Sequence, residues 1–347
     1  MYFVKRIAVG IIIAVTLLLV GSITPASACT SFAVYGDEPI YGMNFDFYDT
    51  EIRFVIPEEE FLTFDLFVLV FDSYGSYTST VIMDEQGLFF SCQEQSPAQG
   101  GKSHLDEDEI YITDVALEAL RMQVQGYEMD VAGVLESIQG KKLVHWEEMG
   151  AHVLTADAGG AAAIIEVGEE ENEILPIDGD FIVMTNFPNY RFKNLPYDQV
   201  GGTGSRRYIT AHEYIGENMN DFDIDHAFET LRRTAQEGFT RCSMVFVPEQ
   251  GSVYLALYQD FDKLWKISLS EKTMETYQGF DKDVKLSISQ DGVVAADLRD
   301  GDFSDYEVIS SGLGWIGKAS LIAGVVLVLA VLATLSIRKK HESKHNQ

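Results

Sequence analysis

The stretch CTSFAVYGDEPIYGMNFDF, residues 29–47, decides the fold of this 347-residue chain. Its apolar run SFAVY predicts a strand, the GDEP after it predicts a turn, and IYGM predicts the returning strand. We expect the two strands to pair as a hairpin. Such a hairpin brings Asn44 and Asp46 back beside Cys29, at one end of a sheet.

The residues before Cys29 have the pattern of a secretory signal peptide. Two basic residues precede the apolar stretch 7–20, and small residues at 25–28 form a cleavage site. We therefore expect residues 1–28 to be removed, which makes Cys29 the first residue of the mature protein.

An N-terminal cysteine carries a thiol and a free α-amine on the same residue. The amine has an ordinary pKa of roughly 7.7–8.0, so it can accept the thiol proton near neutral pH. A nucleophile activated by its own N-terminal amine is an established catalytic arrangement. The pattern therefore predicts an amide hydrolase with Cys29 as its nucleophile.

The chain contains three cysteines, an odd number that indicates at least one unpaired thiol in an exported protein. If Cys29 is free, Cys92 and Cys242 are either buried thiols or a disulfide. The sequence leaves both alternatives open.

A second apolar stretch, residues 319–337, contains no charged residue and is long enough to cross a hydrocarbon core of roughly 30 Å. A basic cluster follows it, which predicts a cytoplasmic C-terminus. We expect a transmembrane helix over residues 314–337 and a basic cytoplasmic tail over 338–347. The protein would then be a single-pass membrane protein with its catalytic domain on the cell surface.

The chain is strongly acidic, with 54 Asp and Glu against 25 Lys and Arg and a formal net charge of −29. Nucleic acids bind basic patches, so this balance argues against a nucleic-acid partner. The partners that we expect are a small-molecule amide substrate with a hydrophobic acyl group and, through the C-terminal helix, the membrane. A homo-oligomer remains open.

Strand patterns and helix patterns alternate along residues 29–284, which we expect to form one domain. Helical spacing of apolar residues predicts helices near 117–124, 130–140, 205–215 and 224–236. This order predicts an α+β fold in which two antiparallel sheets pack together with a pair of helices outside each. Residues 285–313 are rich in Gly, Asp and Ser and would form a last strand or a stalk.

Four short motifs carry a resemblance to a known family. CTSFAV, a turn and GMNFD at 42–46 resemble the opening of the choloylglycine hydrolase family, which includes penicillin V acylases and bile salt hydrolases among the N-terminal nucleophile hydrolases. DEQGL at 84–88, TNFP at 185–188 and SRRY at 205–208 are similar to later family motifs, in the same order. The resemblance implies a four-layer αββα sandwich and hydrolysis of a linear amide without a metal or cofactor.

The resemblance also implies roles for individual residues. Cys29 would attack the carbonyl carbon to form a thioester, and Asp46 would hold the amine and thiol in position. Asn186 would donate to the α-amine region or to the oxyanion. Arg207, or the neighbouring Arg206, would favour the thiolate and stabilise the developing negative charge.

The sequence departs from the family pattern at two positions. Met43 stands where the family usually has Arg, which leaves open how the thiol pKa is lowered. The Asn that often completes the oxyanion hole is also absent. Gln93 is the amide that we expect to replace it, and Gln95 is the alternative.

Two other interpretations of the chain remain open. Residues 26–29, ASAC, approach a lipobox, so Cys29 could carry a lipid anchor. The strand that begins directly after Cys29 favours the nucleophile instead, because lipoproteins commonly continue with a flexible tether. The chain could also be a catalytically inactive surface binding protein on the same fold, with Met43 and Gln93 as traces of lost activity.

Overall fold

The computed structural model describes residues 29–58, 65–73, 76–97, 100–147 and 149–309. The predicted signal peptide, transmembrane helix and basic tail lie outside these ranges. Among the residues that are described, no helix is long and apolar enough to cross a membrane.

The helices and strands are numbered here in chain order over the described residues. The strands are β1 (Thr30–Tyr35), β2 (Pro39–Asp46), β3 (Ile52–Val55), β4 (Leu66–Ser73), β5 (Ser76–Asp84), β6 (Phe89–Glu94), β7 (Glu109–Tyr111), β8 (Lys142–Val144), β9 (Ala151–Ala156), β10 (Ala162–Val167), β11 (Asn172–Pro176), β12 (Phe181–Met184), β13 (Thr240–Val247), β14 (Ser252–Leu257), β15 (Leu264–Ser268), β16 (Thr273–Gln278), β17 (Lys285–Ser287) and β18 (Val293–Val294). The helices are α1 (Val115–Val124), α2 (Val131–Ser137), α3 (Ser205–Asn218), α4 (Ile224–Thr234) and α5 (Ala295–Asp300).

Two large antiparallel sheets make up most of the structure. The first sheet has the order β12-β1-β2-β13-β14-β15-β16-β17, and the second has the order β11-β10-β9-β6-β5-β4-β3-β18. Strands β7 and β8 form a small parallel pair beside them. The hairpin of residues 29–47 therefore lies inside the first sheet, with β12 on one side and β13 on the other.

Buried side chains divide the described residues into four layers. A core that includes Phe67, Phe89 and Phe246 fills the space between the two sheets. A second cluster packs α1 and α2 against the second sheet, and a third packs α3 and α4 against the first. The predicted α+β fold is confirmed, and its layers follow the order helix, sheet, sheet, helix.

The hairpin has the register that its sequence predicts. Thr30 pairs with Asn44 and Ser31 with Met43, so Asp46 ends β2 beside the start of β1. Every residue of β2 is buried, because the strand is covered by helices on one face and by the second sheet on the other. A strand covered on both faces has a nearly continuous apolar sequence, as in PIYGMNFD.

Several strands lack the sequence pattern of a strand. β11 and β16 are partly polar, since they lie at or near an edge of a sheet where solvent reaches one face. The segment after residue 284, predicted as a last strand or a stalk, packs on both sheets: β17 pairs with β16, and β18 pairs with β3. Leu286 also bridges to Val308, which ties residues near the end of the described chain to the first sheet.

The motif glycine Gly42 makes room for an aromatic ring. A Cβ atom at this position would lie 2.1 Å from the Cζ of Phe32, which is fully buried under the helices. We expect Gly42→Ala to lower the free energy of unfolding by about 1–3 kcal/mol, since the clash forces the ring off its rotamer. Urea denaturation measures this loss, and the added Phe32→Leu substitution should recover part of it.

Gly216 in α3 provides the matched control. Its added Cβ would come no nearer than 3.8 Å to Phe181, and alanine is preferred to glycine inside a helix by about 1 kcal/mol. Gly216→Ala should therefore leave stability unchanged or raise it. Equal losses at the two positions would contradict the steric explanation.

Candidate active site

Four of the predicted site residues meet at one end of the first sheet. Cys29 precedes β1, Asp46 ends β2, and Asn186 follows β12 by two residues. Arg207 lies in the first turn of α3, which begins beside these strand ends. Antiparallel neighbours place the start of one strand against the end of the next, so chain segments far apart in sequence converge here.

The Arg207 guanidinium joins the other three residues. Its Nη1 donates hydrogen bonds to the Cys29 carbonyl oxygen and to Thr30 Oγ1, the latter at 2.7 Å. Its Nη2 donates to Asn186 Oδ1 at 2.7 Å. Nη1 also lies 3.9 Å from Asp46 Oδ2, as an ion pair. Arg206 is exposed, so the structure places Arg207, and not its neighbour, at this position.

A glycine in the left-handed conformation leaves space for the Arg207 side chain to extend to the strand ends. Gly204 precedes α3 with φ of 84°, and its carbonyl oxygen accepts a hydrogen bond from Thr185 Oγ1 at 3.3 Å. A Cβ at Gly204 would lie 2.7 Å from Arg207 Nη2. Glycine at this position therefore serves both the backbone conformation and the close approach of the side chain.

Asp46 is fully buried and accepts two neutral hydrogen bonds. Thr240 Oγ1 donates to its Oδ1 at 2.5 Å, and Gln236 Nε2 donates to its Oδ2 at 2.7 Å. Burial raises the pKa of Asp46 to about 6, although the Thr240 hydrogen bond, the Arg207 charge and the Gln236 hydrogen bond act in the opposite direction. Sequence reasoning missed Thr240 and Gln236, because nothing local marks the residues that follow α4 as partners of β2.

The Cys29 thiol is buried, and its Sγ lies 3.9 Å from the backbone oxygen of Asp46. Burial raises the pKa of this thiol, and the Asp46 charge raises it further; the hydrogen bond to Asp46 and the positive Arg207 offset only part of the effect. While a residue precedes Cys29, its nitrogen is an amide and cannot accept a proton. The thiol in that form is therefore neutral at physiological pH.

Asn186 connects the site to the second sheet. Its Nδ2 donates to the Glu94 carbonyl oxygen at 2.7 Å, and its own carbonyl oxygen accepts from the Ser96 N–H at 2.7 Å. Because its Oδ1 accepts from Arg207, the Asn186 amide spans from the helix layer to the end of β6.

Gln93, the amide that we expected at the oxyanion hole, lies on β6 of the second sheet and faces β1. Gln93 Nε2 donates to Ser31 Oγ at 2.5 Å and to Ser91 Oγ at 3.1 Å, and Ser31 is two residues from Cys29 on β1. The side chains of Gln93 and Gln95 are both buried, and the Oε1 of each has no hydrogen-bond partner among the described residues. The structure therefore brings Gln93 to β1, the strand that begins directly after Cys29.

Met43, which stands at the position of the family arginine, lies in the core between the sheets. It is fully buried, and its Sδ accepts a hydrogen bond from Ser91 Oγ at 3.2 Å. A positive charge at this position would be enclosed by apolar side chains. In this chain the cation beside Cys29 is Arg207, which approaches from the opposite face of the sheet.

The three cysteines are free thiols in different surroundings. Cys242 lies in the core between the sheets, whereas Cys92 packs with the helix cluster outside the second sheet. The alternative of a disulfide between Cys92 and Cys242 is therefore wrong. Across the described residues, no group of three or more His, Cys, Asp or Glu side chains could hold a metal ion.

A cavity of about 470 Å³ lies next to the site. Phe187 and Tyr208, the chain neighbours of Asn186 and Arg207, form part of its wall. None of the four converging residues lines it. The lining mixes charged and polar side chains with apolar ones, and it gives no measure of which groups the thiol can contact.

The raised pKa of Asp46 predicts a pH-dependent stability in a chain that retains residues before Cys29. The folded pKa of about 6 lies above the unfolded value of roughly 3.9. The stabilisation by the protonated carboxyl is therefore complete only well below the unfolded pKa of roughly 3.9, and it is lost as the pH rises through 6. Between pH 4 and pH 7, urea denaturation should show a loss of stability that is larger in this chain than in Asp46→Asn by about 2 kcal/mol. Equal losses in the two proteins would contradict the assignment.

Comparison with known proteins supports the fold. No family model matches the sequence, and no curated protein sequence matches it. Two solved structures of variants of the conjugated bile acid hydrolase from Clostridium perfringens are 14% and 15% identical to this chain, cover 72% of it and 96% and 97% of their own length, and give a TM-score of 0.54. Penicillin V acylase from Agrobacterium tumefaciens is 15% identical, with 72% and 91% coverage and a TM-score of 0.50. This chain therefore has the sheet-rich α+β fold of these hydrolases.

Proposed function

We propose that the mature protein hydrolyses a linear amide, with the Cys29 thiol as nucleophile and the Cys29 α-amine as general base. The observation that carries this proposal is the Arg207 guanidinium, which contacts Cys29, Asn186 and Asp46 at once. An arginine on the solvent-exposed face of a helix would not make these contacts with three chain segments that are distant in sequence. The fold shared with a bile acid hydrolase and a penicillin acylase supports the same class of reaction.

Acylation begins when removal of residues 1–28 leaves a free amine on Cys29. The amine takes the thiol proton, and the thiolate attacks the carbonyl carbon of the substrate to form a tetrahedral oxyanion. The resulting α-ammonium returns its proton to the leaving nitrogen as the C–N bond breaks. The products of this half-reaction are a free amine and a Cys29 thioester.

Deacylation uses the same groups in the reverse order. The α-amine accepts a proton from a water molecule, and the hydroxide attacks the thioester carbonyl. Collapse of this second intermediate releases the carboxylic acid and restores the thiol. Asp46, whose strand ends beside Cys29, would favour the ammonium form through its negative charge.

The charges around Cys29 suit a reaction that builds negative charge. The Arg207 guanidinium and the Asn186 amide lie beside the nucleophile, and Gln93 provides a second amide on the facing sheet. Preorganised donors of this kind contribute about 3–4 kcal/mol each to transition-state stabilisation. Arg207 also compensates for the missing cation at Met43, because its charge lowers the pKa of the thiol.

We propose that the acyl group of the substrate is hydrophobic, because apolar side chains surround the thiol. Phe45, Phe47 and Phe71 form an aromatic cluster with ring centroids 4.7 to 5.7 Å apart. Phe45 shares the inter-sheet core with Cys29, and Phe47 packs against that core from a partly buried position. We propose that the acyl chain lies against these rings while the amine portion of the substrate faces solvent.

We also propose that the enzyme is exported and anchored. The signal pattern at residues 1–28 and the apolar stretch at 319–337 support a catalytic domain on the cell surface and a cytoplasmic tail. Of the alternatives, an inactive binding protein would keep the fold and lack turnover. A lipidated Cys29 would have no free amine.

A one-residue extension tests the role of the amine. A protein that begins at Ala28 keeps the thiol but converts the Cys29 nitrogen to an amide. Compared with a protein that begins at Cys29, its kcat/KM on a panel of acyl amides should fall by about 10²–10⁴, because the general base is lost. Alkylation of the thiol by iodoacetamide should slow as well.

Cys29→Ala is the control for both assays, and intact-mass analysis of the exported protein completes the test. Equal activity of the Ala28 and Cys29 forms would refute the amine as base. A diacylglyceryl mass on Cys29 would establish the lipoprotein alternative. An unmodified, alkylatable Cys29 without hydrolysis of any amide in the panel would favour the inactive binding protein.

Arg207→Lys tests the guanidinium against its neighbour. Lysine keeps the positive charge but cannot donate to Cys29, Thr30 and Asn186 together, so kcat/KM should fall by about 10²–10³. Arg206→Lys is the matched control one residue away on the exposed side of α3, and its steady-state kinetics should equal those of the wild type. A similar loss in both variants would show that the effect comes from the helix and not from the site.

A further inference from the structure

Three buried polar residues form a row across neighbouring strands of the second sheet. Gln93 on β6 pairs with His152 on β9, and His152 pairs with Glu166 on β10. His152 and Glu166 are fully buried, and Gln93 is nearly so. Cross-strand partners point to the same face of a sheet, and the Gln93 contact with Ser31 shows that this face is the one towards Cys29.

Glu166 accepts four hydrogen bonds. His152 Nδ1 lies 2.9 Å from its Oε1, and the N–H and Nδ2 of Asn189 reach the same oxygen at 2.9 and 3.0 Å. The Tyr190 N–H donates to its Oε2 at 2.8 Å. Burial raises the pKa of Glu166, but these donors together lower it below its ordinary value. Glu166 is therefore a carboxylate, and hydrogen-bond donors reach both of its oxygens.

The two backbone donors fix the loop that carries Asn186. Asn189 and Tyr190 follow Asn186 by three and four residues, and their N–H groups point at the carboxylate. Asn186 is already held at its own position by Arg207 and Glu94. Glu166 thus anchors the other end of this short segment to the second sheet.

The remaining donor, His152, lies between Glu166 and Gln93 in the sheet. A carboxylate has no proton to give, so the proton in the contact with Glu166 belongs to His152 Nδ1. Glu166 therefore holds the His152 ring in place. His152 is also the cross-strand partner of Gln93, and side chains paired in this way are neighbours on one face of a sheet. The fixed ring limits the positions open to the Gln93 side chain, whose NH₂ is directed at Ser31.

We infer that Glu166 and His152 are positioning residues, through which one buried carboxylate sets the orientation of both amides, Asn186 and Gln93, beside the nucleophile. This inference rests on the proposed function, because it assigns those amides to oxyanion stabilisation. It differs from a purely structural role in what it predicts. Loss of the carboxylate should slow the chemical step without changing the reactivity of the thiol.

Glu166→Gln in the protein that begins at Cys29 tests the inference. The variant keeps the shape of the side chain, but only one of its two terminal atoms can accept a hydrogen bond. The donors on the other atom, either His152 with Asn189 or Tyr190, therefore lose their acceptor. We expect kcat for acyl-amide hydrolysis to fall about 10- to 100-fold, less than the full loss of an oxyanion donor. KM and the rate of Cys29 alkylation by iodoacetamide should stay at their wild-type values.

Asp84→Asn is the matched control. Asp84 is also a buried carboxylate that accepts from two backbone N–H groups, of Gln86 and Leu88, and from one side chain, Gln123. It lies at the opposite end of β5 and β6 from the site. Asp84→Asn should therefore lower the melting temperature, as Glu166→Gln does, with kcat unchanged.

His152→Gln separates the two arms and remains informative if Glu166→Gln does not fold. His152→Gln keeps the hydrogen bonds from Asn189 and Tyr190 to Glu166 and changes only the neighbour of Gln93. We therefore expect kcat to fall by a smaller factor than in Glu166→Gln, and the rate of Cys29 alkylation to stay unchanged. Wild-type kcat in both folded variants, or the same loss in Asp84→Asn, would overturn the inference while the proposed function stands. A wild-type protein with neither hydrolysis nor alkylation at Cys29 would overturn both.

Discussion

A single guanidinium joins the chain segments that meet at the candidate active site. Arg207 extends from the helix layer to the strand ends of the first sheet, where it donates hydrogen bonds to Cys29 and to Asn186 and forms an ion pair with Asp46 at the end of β2. Because the guanidinium presents several donors in one plane, it fixes their relative positions as well as their electrostatic potential.

Burial explains why such a cation is needed. Asp46 and Cys29 both lie in a medium that disfavours their charged forms, as the raised pKa values of the carboxyl and the thiol show. Two neutral donors, Thr240 and Gln236, and one charged donor, Arg207, oppose the effect on the carboxyl. The balance leaves a protonated thiol as long as its nitrogen is an amide. In the function that we propose, removal of the preceding residues exposes the amine and so adds a base.

Local sequence predicted those parts of the site that lie within one hairpin or one helix turn. The return of Asp46 to Cys29 follows from strand length and turn position alone, and the motif order indicated Arg207 or its neighbour. Only the structure separates the two arginines, because the choice depends on how α3 sits on the sheet. The spacing of apolar residues does not fix how α3 is rotated about its axis, because the helix follows a left-handed glycine that sets the direction of the chain.

Residues brought in by sheet order were not predictable in the same way. His152 and Glu166 sit in strands that otherwise resemble core, and their relation to Gln93 depends on the β6-β9-β10 order, which no local pattern encodes. The partly polar strands near the sheet edges were also not predictable, because solvent on one face allows polar residues and so removes the apolar pattern of a strand. Sheet neighbours distant in the sequence are fixed by packing of whole layers.

The separation of the cysteines among the layers has a consequence for their oxidation. Cys29 and Cys242 stand at strands β1 and β13, which flank β2 and so lie about 10 Å apart. A disulfide requires Cα atoms within about 7 Å. Cys92 faces the far side of the other sheet. No disulfide within the folded chain can therefore form at Cys29, and its thiol stays available for other chemistry.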